Sequence, residues 1–276
     1  MTEVMTPRGS ARWLLWTVTG FVLAFVYVPL VVVGVNSFNS DRTFAWPPPG
    51  FTTHWWSSAL SAPGPREALA RSVEAGLGAT VIALVLGTLL SLALTRFDFF
   101  GKSAINVLVV LPIALPGIVT GLALQTLISN VFTPVFGVSP GLFTIIVGHA
   151  TFCVVVVFNN VSARLRRMGT SLELASADLG AGVLTTFRLV TFPLLRPALV
   201  AGGLLAFGLS FDEIVVTTFT AGAGTPTLPI WIFNNLFRPN QAPVVNVIAV
   251  LLVALSVVPV WLAQRIGGQD AGTSRM

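Results

Sequence analysis

Residues 103–163 read SAINVLVVLPIALPGIVTGLALQTLISNVFTPVFGVSPGLFTIIVGHATFCVVVVFNNVSA, 61 residues without a lysine, arginine, aspartate or glutamate. A membrane-spanning helix needs about 20 such residues, so the run is too long for a single crossing. Asn130, Thr133, Pro134, Gly137, Ser139, Pro140 and Gly141 interrupt it with turn chemistry. This predicts two spans, about 104–128 and 142–162, joined by an uncharged turn. Over the whole chain of 276 residues, 54% are apolar and 9% charged, against about 25% charged in ordinary soluble domains. That balance excludes a disordered chain, a nucleic-acid binder and a water-soluble enzyme. Lipid supplies no hydrogen-bond partners, so a spanning chain is helical or a closed barrel. Barrel strands are about 10 residues long and alternate in polarity; the uncharged runs here are longer than 20 residues. The expected fold class is therefore an all-α integral membrane protein.

Working outward, Trp13 to Val35 is uncharged over 23 residues. It exceeds the apolar core of a signal peptide, about 7–15 residues, and no A-x-A site follows, so it reads as an uncleaved first span. A second uncharged run covers 75–95. A fifth span is expected over about 197–221, carrying Asp212 and Glu213, and a sixth over about 243–264. Six spans put both termini on one side, and the positive-inside rule chooses that side. With the termini inside, Arg8, Arg12, Arg96, Lys102, Arg164, Arg166, Arg167, Arg188, Arg196, Arg265 and Arg275 are cytoplasmic, and Arg42, Arg66, Arg71 and Arg238 are external. The split is 11 to 4, so both termini are expected in the cytoplasm, on a single transmembrane domain over residues 1–276. The net charge of +5 follows from this orientation bias and calls for no nucleic acid. The external stretch 36–71, with Trp46, Pro47, Pro48, Pro49, Trp55 and Trp56, is expected to be a stiff non-helical excursion, either an interfacial cap or a docking surface.

Several chemistries are missing. Cys153, the single cysteine, has no partner for an internal disulfide. His54 and His149 have no second ligand at metal-binding spacing and read as a polar tip or a packed residue. Phe100-Gly101-Lys102-Ser103 ends like a nucleotide-binding loop, but the glycine such a loop requires is replaced by Arg96. Gly117 and Gly121 form a small-residue pair that close helix packing explains. No catalytic group, metal site or cofactor site is expected, and no nucleotide-binding loop is present in the sequence.

Two places carry candidate function. In the loop 164–196, Thr170 and Glu173 have capping-box spacing, and Leu172, Ala175 and Leu179 fall on one helical stripe, with Glu173 and Asp178 off it. Gly180 and Gly182 end that helix, and a second short helix is expected over about 185–190, before Pro193. The apolar stripe with basic flanks fits docking on another protein or on a lipid surface. In the fifth span a carboxylate costs roughly 2.5–3.5 kcal/mol to insert, so two adjacent ones need a reason. Ser210, Glu213, Thr217 and Thr220 share one helical stripe. Counting about 1.5 Å per residue from Arg196 puts Asp212 in the outer third of the membrane. The expectation is that Glu213 faces a translocation pathway with Ser210 and Thr217, while Asp212 faces a neighbouring helix or loop.

The stretch Glu173-Leu174-Ala175-Ser176-Ala177-Asp178-Leu179-Gly180, followed after nine residues by Val190-Thr191-Phe192-Pro193, resembles the EAA loop of ABC importer permeases. With Gly180 in register, Leu174 stands at the family's glutamate, Ala175 at its first alanine and Ser176 at its second; Glu173 lies one residue early. Further matches are Tyr27 to Phe38 with Pro29, Asn36-Ser37-Phe38-Asn39-Ser40, Phe51-Thr52 with Trp55, Leu111-Pro112 with Pro116-Gly117, and Ser210-Phe211-Asp212-Glu213. These resemble the polyamine-type permeases of spermidine/putrescine importers. The resemblance implies a type I importer fold and a multi-pass place in the bacterial inner membrane. It also implies a cytoplasmic ABC ATPase in two copies, a second homologous permease and an extracytoplasmic substrate-binding protein. Under it, Leu172, Glu173, Leu174, Ala175, Asp178, Gly180, Val190 and Pro193 form the surface that receives ATPase motion. The alternatives left open are another small solute on the same scaffold, or a self-sufficient secondary carrier.

Overall fold

The longest helix among the described residues buries mostly small side chains on its inner face. In α3 (Pro63–Arg96) the buried positions include Ala68, Ser72, Ala75, Gly76, Ala79, Ala83, Gly87 and Ser91. Small residues at this spacing bring backbones close, which is how helices associate where lipid removes the usual hydrophobic driving force. Any Cβ on Gly87 would stand 2.9 Å from the Val154 carbonyl of α7 (Leu142–Met168). Ser91 Oγ donates to the Phe158 carbonyl at 3.0 Å. The core formed there contains Ala79, Ala83, Phe152, Cys153, Val157, Val161, Leu165, Leu195, Ala206 and Val216.

The computed structural model describes residues 9–42, 46–238 and 241–272; the expected cytoplasmic anchors Arg8 and Arg275 lie outside them. The chain divides into two compact units, Met1–Ala62 with Asn234–Leu251, and Pro63–Phe233 with Leu252–Met276. Among the described residues six helices are long and apolar enough to cross a membrane: Arg12–Asn36, Pro63–Arg96, Gly117–Phe136, Leu142–Met168, Val183–Phe211 and Ala242–Arg265.

In the first unit α1 (Gly9–Asn36) leads to an antiparallel bridge between Asn39 and Phe51. Trp55 Nε1 donates to the Asn39 carbonyl at 2.8 Å, and Phe38 stacks on Trp56 at 5.3 Å. The excursion expected over 36–71 is thus partly helical, with α2 at His54–Ser61 and α3 beginning at Pro63.

In the second unit the span expected at 104–128 is interrupted. α4 (Lys102–Ala114) stops before Pro116, with Leu115 extended at φ −79°, ψ 145°, the conformation that a following proline favours. α4 rises only about 20 Å. The helix that reaches spanning length starts at Gly117 and runs through α5 (Gly117–Leu127), a π turn at Ile128–Phe132 and α6 (Thr133–Phe136). Before α4, Lys102 pairs with Asp98 at 2.8 Å; that hydrogen bond and charge hold the Asp98 carboxyl below its ordinary range.

α8 (Ser171–Asp178) follows α7, and α9 (Val183–Thr186) joins a π turn at Phe187–Thr191 and α10 (Phe192–Phe211) in one continuous run. The short helix expected at 185–190 is therefore the start of the fifth span. Pro193 does not break it, because the π turn places the Phe192 N–H on the Phe187 carbonyl and Pro193 falls in the first turn of α10, where its missing donor is tolerated. α11 (Val215–Thr220), α12 (Leu228–Asn235) and α13 (Ala242–Gly272) complete the order.

The glycine pair of α5 packs against α11: Gly117 faces Val215, and Gly121 faces the Phe219 ring with no room for a Cβ. Gly121→Val is expected to cost about 1–3 kcal/mol by overpacking and to lower the melting temperature of the detergent-solubilised protein. Gly20→Val is the control, because nothing lies within 4 Å of its Cβ position.

Candidate functional site

The fifth span is a broken helix. α10 ends at Phe211, Asp212 occupies its C-cap at φ −98°, ψ 6°, and α11 starts at Val215. Glu213 holds the break from the α11 side, its Oε1 accepting the Val216 N–H at 2.8 Å. That satisfies one of the donors a helix start leaves open and sets a carboxylate at its positive end.

The stripe Ser210, Thr217 and Thr220 is fully buried and faces α7. His149 Nδ1 lies 2.7 Å from Ser210 Oγ, and its Nε2 lies 2.8 Å from Thr217 Oγ1. Thr144 Oγ1 donates to the Thr220 carbonyl at 2.7 Å. The stripe expected to face a pathway with Glu213 is packed inside this chain at Ser210 and Thr217. Ser210 and Thr217 both bond His149, and Glu213 is half-buried as a cap, while Asp212 is the exposed acid. In sequence, His149 reads only as a packed residue. The usable signal is two hydroxyls seven residues apart, two helical turns on one face, with a single buried imidazole available to bridge them.

Asp212 opens into a pocket of about 420 Å³ lined otherwise by α13, at Leu252, Val253, Ser256, Val257, Val260, Trp261 and Gln264. Neither ion pair found among the described residues involves it. Ser256 Oγ in the same pocket is buried without a hydrogen-bond partner. The position of a Cβ on Gly208 lies 3.9 Å from Pro259, which sets the register of α10 against α13. With α10 and α13 antiparallel at this register, Asp212 lies about 15 Å along the helix axes from the level of Arg265. The helical run that carries Asp212 begins at Val183, so Arg196 lies in its interior. A C-terminal helix end beside an exposed carboxylate makes a point that attracts cations.

The second region is the segment between α7 and α10. Glu173 turns inward. Its carboxylate pairs with Arg96 Nε at 2.8 Å and accepts from Thr191 Oγ1 at 3.0 Å. Arg96 Nη2 also donates to the Gly169 carbonyl at 2.7 Å, so one guanidinium ties the end of α3 to the exit of α7 and to α8. The capping box is not formed: Thr170 makes no side-chain cap bond, because Glu173 is committed to Arg96. Ser176, also on the inner face, meets Thr186 at 3.0 Å. Gly180, at φ +82°, closes α8: its N–H bonds the Ala177 carbonyl at 2.9 Å and the Ala181 N–H bonds the Ser176 carbonyl at 3.1 Å, the paired bonds of a Schellman turn. Outward stand Leu172, Leu174, Ala175, Asp178, Leu179, Val183, Leu184 and Leu189; Leu179 and Val183 are each 89% exposed. Val190 and Pro193 are half-buried at the base. A short helix whose polar face is tied down and whose apolar face is presented leaves a large exposed apolar patch, and such patches mark contact surfaces.

A family model described as "Binding-protein-dependent transport system inner membrane component" matches residues 79–267. The chain is 33% identical over 242 residues to the putrescine transport system permease protein PotI of Escherichia coli, covering 86% of this chain and 85% of that protein. It is 33% identical over 246 residues to the spermidine/putrescine transport system permease protein PotC of Haemophilus influenzae, covering 89% and 93%. Among solved structures, a chain of a bacterial ABC transporter involved in import of the acidic polysaccharide alginate aligns with a TM-score of 0.69 at 16% identity, covering 95% of this chain and 98% of that one; at that identity the likeness is one of fold.

Proposed function

The chain belongs to the family of binding-protein-dependent transport system inner-membrane components, and on that premise we propose that it forms half of the translocation pathway of an ATP-driven importer for polyamines, putrescine or spermidine. It is a multi-pass inner-membrane permease, and an ATPase, a substrate-binding protein and a second permease are the partners its family implies. The finer assignments are these. Both termini lie in the cytoplasm, on the strength of the 11-to-4 distribution of basic residues. The exposed apolar face of α8 and α9 docks on one of two ATPase copies, and Leu174, standing where the family has its glutamate, contributes apolar contact there. Glu173 does a different job in this chain: through Arg96 and Thr191 it joins the docked helix to α3 and α10, so movement of α8 is carried into two spanning helices. Gly180 keeps α8 a separate lever.

The observation that carries the substrate class is Asp212, an exposed acid at the break of the fifth span without an ion-pair partner among the described residues. An ammonium about 4 Å from it gains roughly 4 kcal/mol at an effective dielectric near 20, against about 1 kcal/mol in water. Discontinuous helices offer their C-terminal ends to cations in other transporters by the same physics. PotI and PotC, by name, serve putrescine and spermidine/putrescine, which supports the same class. The test is affinity purification of the tagged chain from its own host in mild detergent. An ABC ATPase and a second permease should co-elute; a chain that elutes alone, with sodium- or proton-driven uptake in vesicles, would establish a secondary carrier instead.

A further inference from the structure

We propose that His149 is a positioning residue for transport: its imidazole clamps the two halves of the fifth span and so fixes the direction in which Asp212 is presented. The inference rests on the reading that Asp212 lies in the pathway. Thr217 Oγ1 donates its proton to the Glu213 carbonyl at 2.9 Å, so it can only accept from His149, and Nε2 carries the ring proton. Nδ1 is then an acceptor, and Ser210 donates to it. The result is a directed chain of hydrogen bonds: Ser210 O–H to Nδ1, Nε2–H to Thr217, Thr217 O–H to the carbonyl of Glu213. It starts on the last turn of α10 and ends on the residue after Asp212, crossing the break through a side chain of α7.

The surroundings make this clamp stiff. His149 is completely buried, and α11 comes close to α7 because Gly148 precedes it, with Thr220 and Val216 each 3.2 Å from where a Cβ would stand. Beyond the bond that the Val216 N–H donates to Glu213 Oε1, these links hold α11 relative to α10, since the backbone between them makes only long bonds of 3.4 Å at Asp212 and Glu213. A break held this way keeps Asp212 pointing outward while its neighbours point in.

The test is a double-mutant cycle in the assembled importer, measuring KM and Vmax for putrescine uptake in cells without uptake of their own. His149→Leu removes both arms of the clamp. Thr217→Val and Ser210→Ala each remove one arm at nearly constant volume and keep the test open where His149→Leu fails to assemble. Each single-arm variant should raise KM about fivefold to tenfold, the worth of one net hydrogen bond, with Vmax changed less. His149→Gln, which restores a donor toward Thr217, should recover part of the loss. In an Asp212→Asn background the same substitutions should add nothing to KM. If they multiply KM equally in both backgrounds, the clamp acts on general stability and the inference is wrong. If Asp212→Asn alone leaves KM and Vmax unchanged, it is the pathway reading of Asp212 that fails.

Discussion

Asp212→Asn is expected to reduce putrescine uptake roughly 10- to 100-fold, the effect of removing one charge-assisted hydrogen bond from a partly dehydrated site. Glu213→Gln should have a much smaller effect, because a glutamine carbonyl can still accept the Val216 N–H that Glu213 now holds. The contrast matters more than either number. The two acids are adjacent and alike in chemistry, so a pathway that needed only negative charge at this depth would respond equally to both. Here the helix break separates them, one exposed beside α13 and the other capping α11. Complex assembly and ATP hydrolysis are checked first in both variants. A larger defect in Glu213→Gln than in Asp212→Asn would reverse the assignment.

Leu184→Asp and Leu174→Asp are expected to abolish ATPase association, at least a 100-fold loss of recovered complex. Leu184 is 80% exposed and Leu174 61% exposed, so neither substitution disturbs packing within the chain, and the variants should fold and insert normally. On docking, each would bury an unpaired carboxylate, which costs several kcal/mol, more than a contact of a few apolar side chains supplies. Thr185, exposed on the same short helix as Leu184, gives the control: Thr185→Ser changes a surface methyl and should leave association intact. Recovery of the full complex with both leucine variants would move the docking surface elsewhere.

The fold and the site are legible in the sequence to different degrees, for identifiable reasons. Charge-free runs of spanning length reveal helices because lipid leaves the backbone no other solution, and the apolar stripe of α8 is visible in the order of its residues. Interruptions are harder to read. Leu115–Pro116 carries a warning in the proline, but Pro112 four residues earlier lies inside α4, so proline alone does not say which turn will open. The break at Asp212 has no glycine or proline to announce it; two acids acting as C-cap and helix-start cap make it, and in an uninterrupted helix they read as a charged pair. Which face of the stripe is buried depends on His149, 61 residues from Ser210, a contact that no local pattern contains. Glu173 misleads for a related reason: its spacing from Thr170 fits a capping box, but Arg96, 77 residues away, offers it a full charge.

If this chain is a driven half-pathway, moved by an ATPase docked on α8 and α9, energy supply and solute movement must fail together. Putrescine uptake into proteoliposomes holding this chain with its second permease, with and without the ATPase, with binding protein outside and ATP inside, measures that dependence. Accumulation is expected only when the ATPase is present and ATP is hydrolysed, and none is expected with the Leu184→Asp chain. Accumulation by the permeases without any ATPase would contradict a driven half-pathway.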